Sequence, residues 1–158
     1  MDGVELTELL GRVRILEDQI EALRAQEHMH MVITGDLYTV AWTDYSAMST
    51  VVGWSAFTTK LVFYKRIGNL VYFEFFIAGT SNTTGVSFTL PYSSNASGLI
   101  GEGLVSRAVD NGVAITTACA WELSASDNIV RCYTNHALGA WTNIGTKRVI
   151  GKGWYEAA

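Results

Sequence analysis

Two hydrophobic periods divide this chain. From Leu6 the apolar positions recur as Leu6, Leu9, Val13, Leu16, Ile20 and Leu23, at spacings of 3, 4, 3, 4 and 3. That is a heptad seam, with Leu6, Val13 and Ile20 at a and Leu9, Leu16 and Leu23 at d. A helix of about 24 residues, from Val4 to Gln26, would be roughly 36 Å long. From about Leu37 the period falls to 2, and Thr, Val, Tyr, Phe and Trp replace the helix formers. The alternation predicts strands over Leu37–Thr43, Gly53–Thr59, Lys60–Arg66, Leu70–Ala78, Val86–Pro91, Gly98–Val105, Val113–Glu122, Ile129–Thr134 and Val149–Glu156. Ile67-Gly68-Asn69 reads as a tight hairpin turn, and Gly79 to Gly85 as a polar loop.

Short strands, frequent turn signals and no second helical segment predict a mainly β fold, a sandwich or barrel, with a jelly-roll-like sandwich on an α-helical coiled coil as the expectation. The domain boundary falls between a stalk and neck, residues 1–32, and a β knob, residues 33–158. The strand Leu70–Ala78 is apolar on both alternations. Val71, Phe73, Phe75 and Ile77 lie on one face, and Leu70, Tyr72 and Phe76 on the other. A monomeric sandwich leaves one of those faces wet, so the pattern places this strand at a subunit interface as well as in a core.

The seam has a plain alternative, a helix packed on its own domain. Its strict a/d spacing is narrower than the stripe of a globular surface helix, and its position at the start of the chain leaves its other side uncovered, which favours self-association. β-Branched residues at a with Leu at d lean toward a dimer. Arg12, Val13, Leu16 and Glu17 instead resemble the short trimerisation motif of three-stranded coiled coils, in which Arg12 covers the core and pairs with Glu17 of the next helix. Dimer and trimer both remain open on the seam alone, with a homotrimer the expectation. Past Glu27 the register places His30 at d. Three copies would ring the axis, or the helix ends and His28 and His30 belong to a solvated neck; no metal and no cofactor is assigned.

Composition narrows the partners. The chain of 158 residues is 49% hydrophobic and 16% charged, with a net charge of -4. Ten of its 26 charges fall between Asp2 and Glu27. No Lys/Arg stripe exists to release counterions, so nucleic acid is not an expected partner. The acidic start is unlike an export signal. The most apolar stretch, Leu70 to Gly79, is too short to span a bilayer, which takes roughly 20 residues, so no membrane insertion is expected.

Trp42, Gly53-Trp54, Tyr64, Ile67-Gly68-Asn69, Gly79-Thr80-Ser81-Asn82 and Ser87-Phe88-Thr89-Leu90-Pro91-Tyr92 together resemble the recurring pattern of bacteriophage tail-fibre and receptor-binding head domains. The likeness runs from Trp42 to Tyr92, and Ile150 to Tyr155 is similar to the terminal core strand of such heads. It implies a trimeric knob similar to the tumour necrosis factor-like jelly roll, working in a virion assembled in the host cytoplasm. Tail fibres usually carry a virion-attachment region before the shaft, and here the coiled coil starts almost at once. A separate distal subunit or a capsid head fibre fits that departure.

Catalytic patterns are sparse. His136 has no acid near it in sequence, no Gly-x-Ser-x-Gly turn exists, and Glu74, Glu102, Asp110, Glu122 and Asp127 show no pairing by spacing. Gly101-x-Gly103 and Gly151-x-Gly153 lack the third glycine and following helix of a phosphate loop. Cys119 and Cys132 are not spaced as a zinc site; a turn at Ser124–Asp127 would set them opposite each other, as free thiols or a strained disulfide. Asn82-Thr83-Thr84 and Asn95-Ala96-Ser97 match a glycosylation pattern that carries no meaning in a phage product. A binding role remains. Trp42, Tyr45, Trp54, Tyr92, Trp141 and Tyr155 are candidates for stacking on sugars, with hydrogen bonds from Asp44, Asn82, Asn95, Asn135, His136 and Asn143. Core or interface duty is the alternative for Trp54, Trp121 and Trp154. Trp141, His136, Asn143, Tyr92 and Asn82 form the expected ligand site, with Trp141 its exposed ring. The expected function is a phage fibre knob, not an enzyme, that binds other virion proteins and a bacterial surface glycan or protein. A capsid decoration or head-fibre protein and a cellular trimeric lectin are the alternatives.

Overall fold

The computed structural model describes residues 40–96 and 101–158, together with the isolated position Gln19. The seam from Leu6 to Leu23, the Arg12 and Glu17 pair, and the neck with His28 and His30 lie outside the described residues. Contacts divide the chain between Val40 and Ala41, and the described strands all belong to the second unit, Ala41–Ala158.

That unit is mainly β, as the alternation predicts. In chain order its strands are β1 (Thr43–Asp44), β2 (Val51–Val52), β3 (Trp54–Ile67), β4 (Leu70–Ser81), β5 (Ser87–Thr89), β6 (Gly101–Asp110), β7 (Val113–Ala114), β8 (Cys119–Leu123), β9 (Ile129–Tyr133) and β10 (Thr146–Glu156). They pair antiparallel in the order β1-β3-β4-β10-β6-β8-β9-β5-β2, with β7 on β6. One residue, Gly53, separates β2 at one end of this order from β3 near the other. The sheet therefore has to curl until its ends meet. Phe75 of β4 consequently reaches Phe88 of β5 across the interior, with ring centroids 4.8 Å apart, and Phe73 reaches Trp121 of β8 at 5.0 Å.

The β3–β4 hairpin forms at the expected turn. Ile67 pairs with Leu70, and Gly68 takes φ +60 at the first central position, as a two-residue turn of the II′ type requires. The break expected between Thr59 and Lys60 does not occur. β3 runs on as one strand of 14 residues, and two register shifts, at Trp54/Ala56 and Phe57/Thr59, bend it around the end of the fold. Gly79 of β4 sits against that bend, where an added Cβ would overlap the Ala56 carbonyl oxygen. Gly79→Ala is accordingly expected to lower unfolding stability by about 3 kcal/mol, read as a drop in denaturant midpoint.

The two faces of β4 divide as the sequence predicts. Val71, Phe73, Phe75 and Ile77 are buried, each side chain stabilising by roughly 1.5–3 kcal/mol. Leu70, Tyr72 and Phe76 point outward and are half-exposed. Their strand neighbours on the outer face, Leu61 and Phe63 of β3 and Ile150 and Trp154 of β10, extend the apolar surface across three strands.

The cysteine geometry differs from expectation. Trp121, not Cys119, faces Cys132 in the β8–β9 register, because the turn is longer by two positions than Ser124–Asp127 implies. Cys119 and Cys132 are buried free thiols, and burial pushes both thiol pKa values up. They stay protonated and unreactive.

Candidate functional site

The ladder between β6 and β10 is incomplete. Arg148 to Gly151 pair with Val109 to Val105, with a bulge that leaves Ser106 extra. Beyond it β10 from Lys152 to Glu156 pairs only with β4, and β6 from Gly101 to Leu104 only with β8. Pairing commonly ends at such bulges. The parted strands open a cleft of 690 Å³ in the outer face.

Glycine makes the floor of that cleft. Gly101 and Gly103 on β6 and Gly153 on β10 direct their missing Cβ positions inward, and the Trp121 indole occupies the space. A Cβ on Gly103 would come within 2.7 Å of Trp121 Nε1, and one on Gly153 would overlap its six-membered ring. The ring spans the gap from one strand to the other and is only 2% exposed. Phe73 and Tyr155 complete the floor, the Tyr155 hydroxyl donating to the Tyr92 carbonyl at 2.7 Å. Burial pushes that phenol's pKa well up, which keeps it a donor.

The rim is aromatic and charged. Trp42 and Trp154 are 41% and 48% exposed, and Tyr72 lies opposite Trp154 across the β4–β10 ladder. Lys65 Nζ stands 5.1 Å from the Trp42 ring centroid and 5.6 Å from that of Tyr72, which fixes these rings by cation–π contact. Lys152, Glu74 and Glu102 complete the wall, so two cations balance two carboxylates.

Three buried tryptophans differ in one respect. Trp54 Nε1 donates to the Lys147 carbonyl at 3.2 Å, and Trp141 Nε1 to the Cys132 carbonyl at 2.7 Å. Trp121 Nε1 has no hydrogen-bond partner among the described residues. A buried donor left unpaired costs roughly 1–3 kcal/mol. The cleft therefore has a binding shape, with an unused donor buried beneath Gly103 in its floor.

The chain matches no protein-family model and no curated protein. What the cleft does has to be argued from its chemistry. Among the described residues no group of His, Cys, Asp and Glu is placed to hold a metal, and no helix is long and apolar enough to cross a membrane.

The residues expected from the sequence as a ligand site fall at two ends of the fold, Trp141, Asn82, His136 and Asn143 at one and Tyr92 at the other. Trp141, expected as the exposed ring, is 2% exposed and belongs to the core. Its polar neighbours misled: the segment looks like a loop, but the indole folds under it to Cys132. Asn82, His136 and Asn143 are exposed at that end of the fold, where Ser81 Oγ bonds the Thr142 carbonyl and Trp141 N–H the Thr84 carbonyl. Tyr92 lies at the other end of β4, edge-on to Tyr64 at 5.8 Å and under the Arg66 guanidinium. Of the wider aromatic set, Trp42 and Tyr155 do line the cleft. Tyr72, Trp154, Trp121, Lys65 and Lys152 were not among the expected ligand residues. The Gly-x-Gly pairs carried a usable signal, since glycine inside a strand marks close approach by another group.

Lys147 explains what the other end does. Its side chain is 1% exposed, and Nζ donates to the Thr83 carbonyl at 2.8 Å and, more weakly, to that of Gly53 at 3.4 Å. The ammonium also stands 5.7 Å from the Trp54 ring and 5.8 Å from the Trp141 ring. A single buried cation thus ties the β2–β3 corner to two loops.

Proposed function

We propose that this chain is a phage virion fibre protein whose homotrimeric β knob adheres to a bacterial surface glycan. The carrying observation is the cleft between β6 and β10, with exposed rings at the rim and balanced charge; an unpaired donor is buried beneath its floor. Sugars present an apolar ring face for stacking and hydroxyls for the charged rim. The trimer is supported by the outer face of β3, β4 and β10, where Leu61, Phe63, Phe76 and Ile150 leave apolar surface that a neighbouring copy would cover. The jelly-roll reading is supported by the curl that brings β4 face to face with β5 and β8. The reading is of binding without catalysis, and weak sites gain strength by repetition in a fibre.

The full chain is expected to adsorb to host cells, and free host polysaccharide to compete. Trp154→Ala removes an exposed ring and is expected to leave the unfolding free energy within about 0.5 kcal/mol. It should lower adsorption at least tenfold. Unchanged adsorption by this variant, or binding of the chain to purified capsids in place of cells, overturns the adhesion reading. Capsid binding would establish a shell-decorating role.

A further inference from the structure

We propose that the cleft selects an acetamido sugar, whose amide carbonyl accepts from Trp121 Nε1–H. This deepens the adhesion reading and rests on it. The fold makes no use of the Trp121 nitrogen: a phenylalanine there would keep the packing on Phe73 without leaving a buried donor unpaired. The ligand group that repairs this has to be an acceptor. It also has to be apolar around that acceptor, because the floor is otherwise aromatic and the Tyr155 hydroxyl is committed to Tyr92. An acetamido group meets both demands, with a carbonyl oxygen for the indole and a methyl for the rings. A carboxylate would bring a full charge to one neutral donor in an aromatic floor. A hydroxyl would bring a proton of its own to a floor side chain set with no free acceptor.

The rim suits the rest of such a sugar. Trp154 offers a face for stacking, while Lys152 and Glu102 on opposite walls reach ring hydroxyls and set no net charge for the ligand. Nε1 is closed to solvent in the unliganded cleft. The acceptor gains access by a small outward movement of Gly103, on a stretch of β6 that has a ladder partner on one side only. Sites built around a specific hydrogen bond reject analogues that lack it.

The test is a calorimetric titration of the full chain with four probes: the N-acetylglucosamine trisaccharide, N-acetylgalactosamine, the glucose trisaccharide and the glucosamine trisaccharide. The Trp121 indole N–H resonance is followed in parallel. The expected result is at least tenfold tighter binding of an acetylated probe than of the glucose and glucosamine probes, with a downfield shift of that resonance. Trp121→Phe is expected to abolish the preference, with its unfolding midpoint serving as the check on folding. Gly103→Ala, which crowds Nε1, should weaken the acetylated probe in the same direction. Equal binding of acetylated and unacetylated probes, or an unaltered preference in Trp121→Phe, overturns the acetamido assignment and leaves the adhesion reading in place. Binding of none of the four overturns the acetamido assignment, and failure of the full chain to adsorb to host cells as well overturns both.

Discussion

Lys147→Ala is expected to remove about 4 kcal/mol of stability, a large part of the ~5–15 kcal/mol that holds a domain of this size. The substitution strands the Thr83 and Gly53 carbonyls, which the ammonium now satisfies. It also opens a void between the Trp54 and Trp141 rings. Lys147→Met refills that void without the charge, so it should cost about half as much. The pH dependence has a definite sign. Burial lowers the pKa of Lys147 from the ordinary 10.5, against a smaller opposing pull from Asp110. Between the lowered value and 10.5 the unfolded chain therefore binds more protons than the folded one, and stability from this residue rises with pH across that window. The difference in denaturation free energy between the unsubstituted chain and Lys147→Met isolates the effect. A gap between the two that fails to widen as the pH rises toward 10.5 would show that the fold holds the ammonium without a desolvation cost, and an Ala variant as stable as the parent would show that Lys147 does not close this end.

Lys147 also shows where the sequence is legible and where it is not. A β class, the hairpin at Gly68 and the two faces of β4 follow from local alternation and turn chemistry, which act within a few residues. Asn111-Gly112 carries a comparable signal. Both residues take positive φ, and Asp110 pairs with Val113 across them, so β6 runs to Asp110 where the alternation ended it at Val105. By contrast, the burial of Lys147 and Trp141 depends on loops that are distant in the chain and meet only when the sheet curls. A polar segment with one tryptophan reads the same whether the ring points out or in. The cleft is harder still. It exists because a ladder stops at a bulge, and neither Gly101 nor Gly153 reveals alone that Trp121 will fill the space between them.

The full chain at micromolar concentration is expected to sediment at three times its 17.3 kDa chain mass. Two surfaces are expected to contribute, the heptad seam and the outer face of the curled sheet. Phe76 is central to the second: it lies between Leu61 on β3 and Ile150 on β10 in the ladder register. Covering a side chain of that size contributes roughly 1.5–3 kcal/mol, and a carboxylate in its place adds a desolvation cost. Phe76→Asp should therefore weaken association through the knob by a hundredfold or more, a factor that corresponds to about 2.7 kcal/mol. The fold should survive, because the side chain points away from the core. Leu16→Asp with Ile20→Asp attacks the other surface, since both lie in the seam. If the surfaces act independently, either change alone leaves an assembly held by the other, and all three substitutions together yield a monomer. A 17.3 kDa species from the unsubstituted chain would rule out both surfaces at once. Full dissociation by Phe76→Asp alone would instead place association in the knob and leave the seam to pack on its own chain.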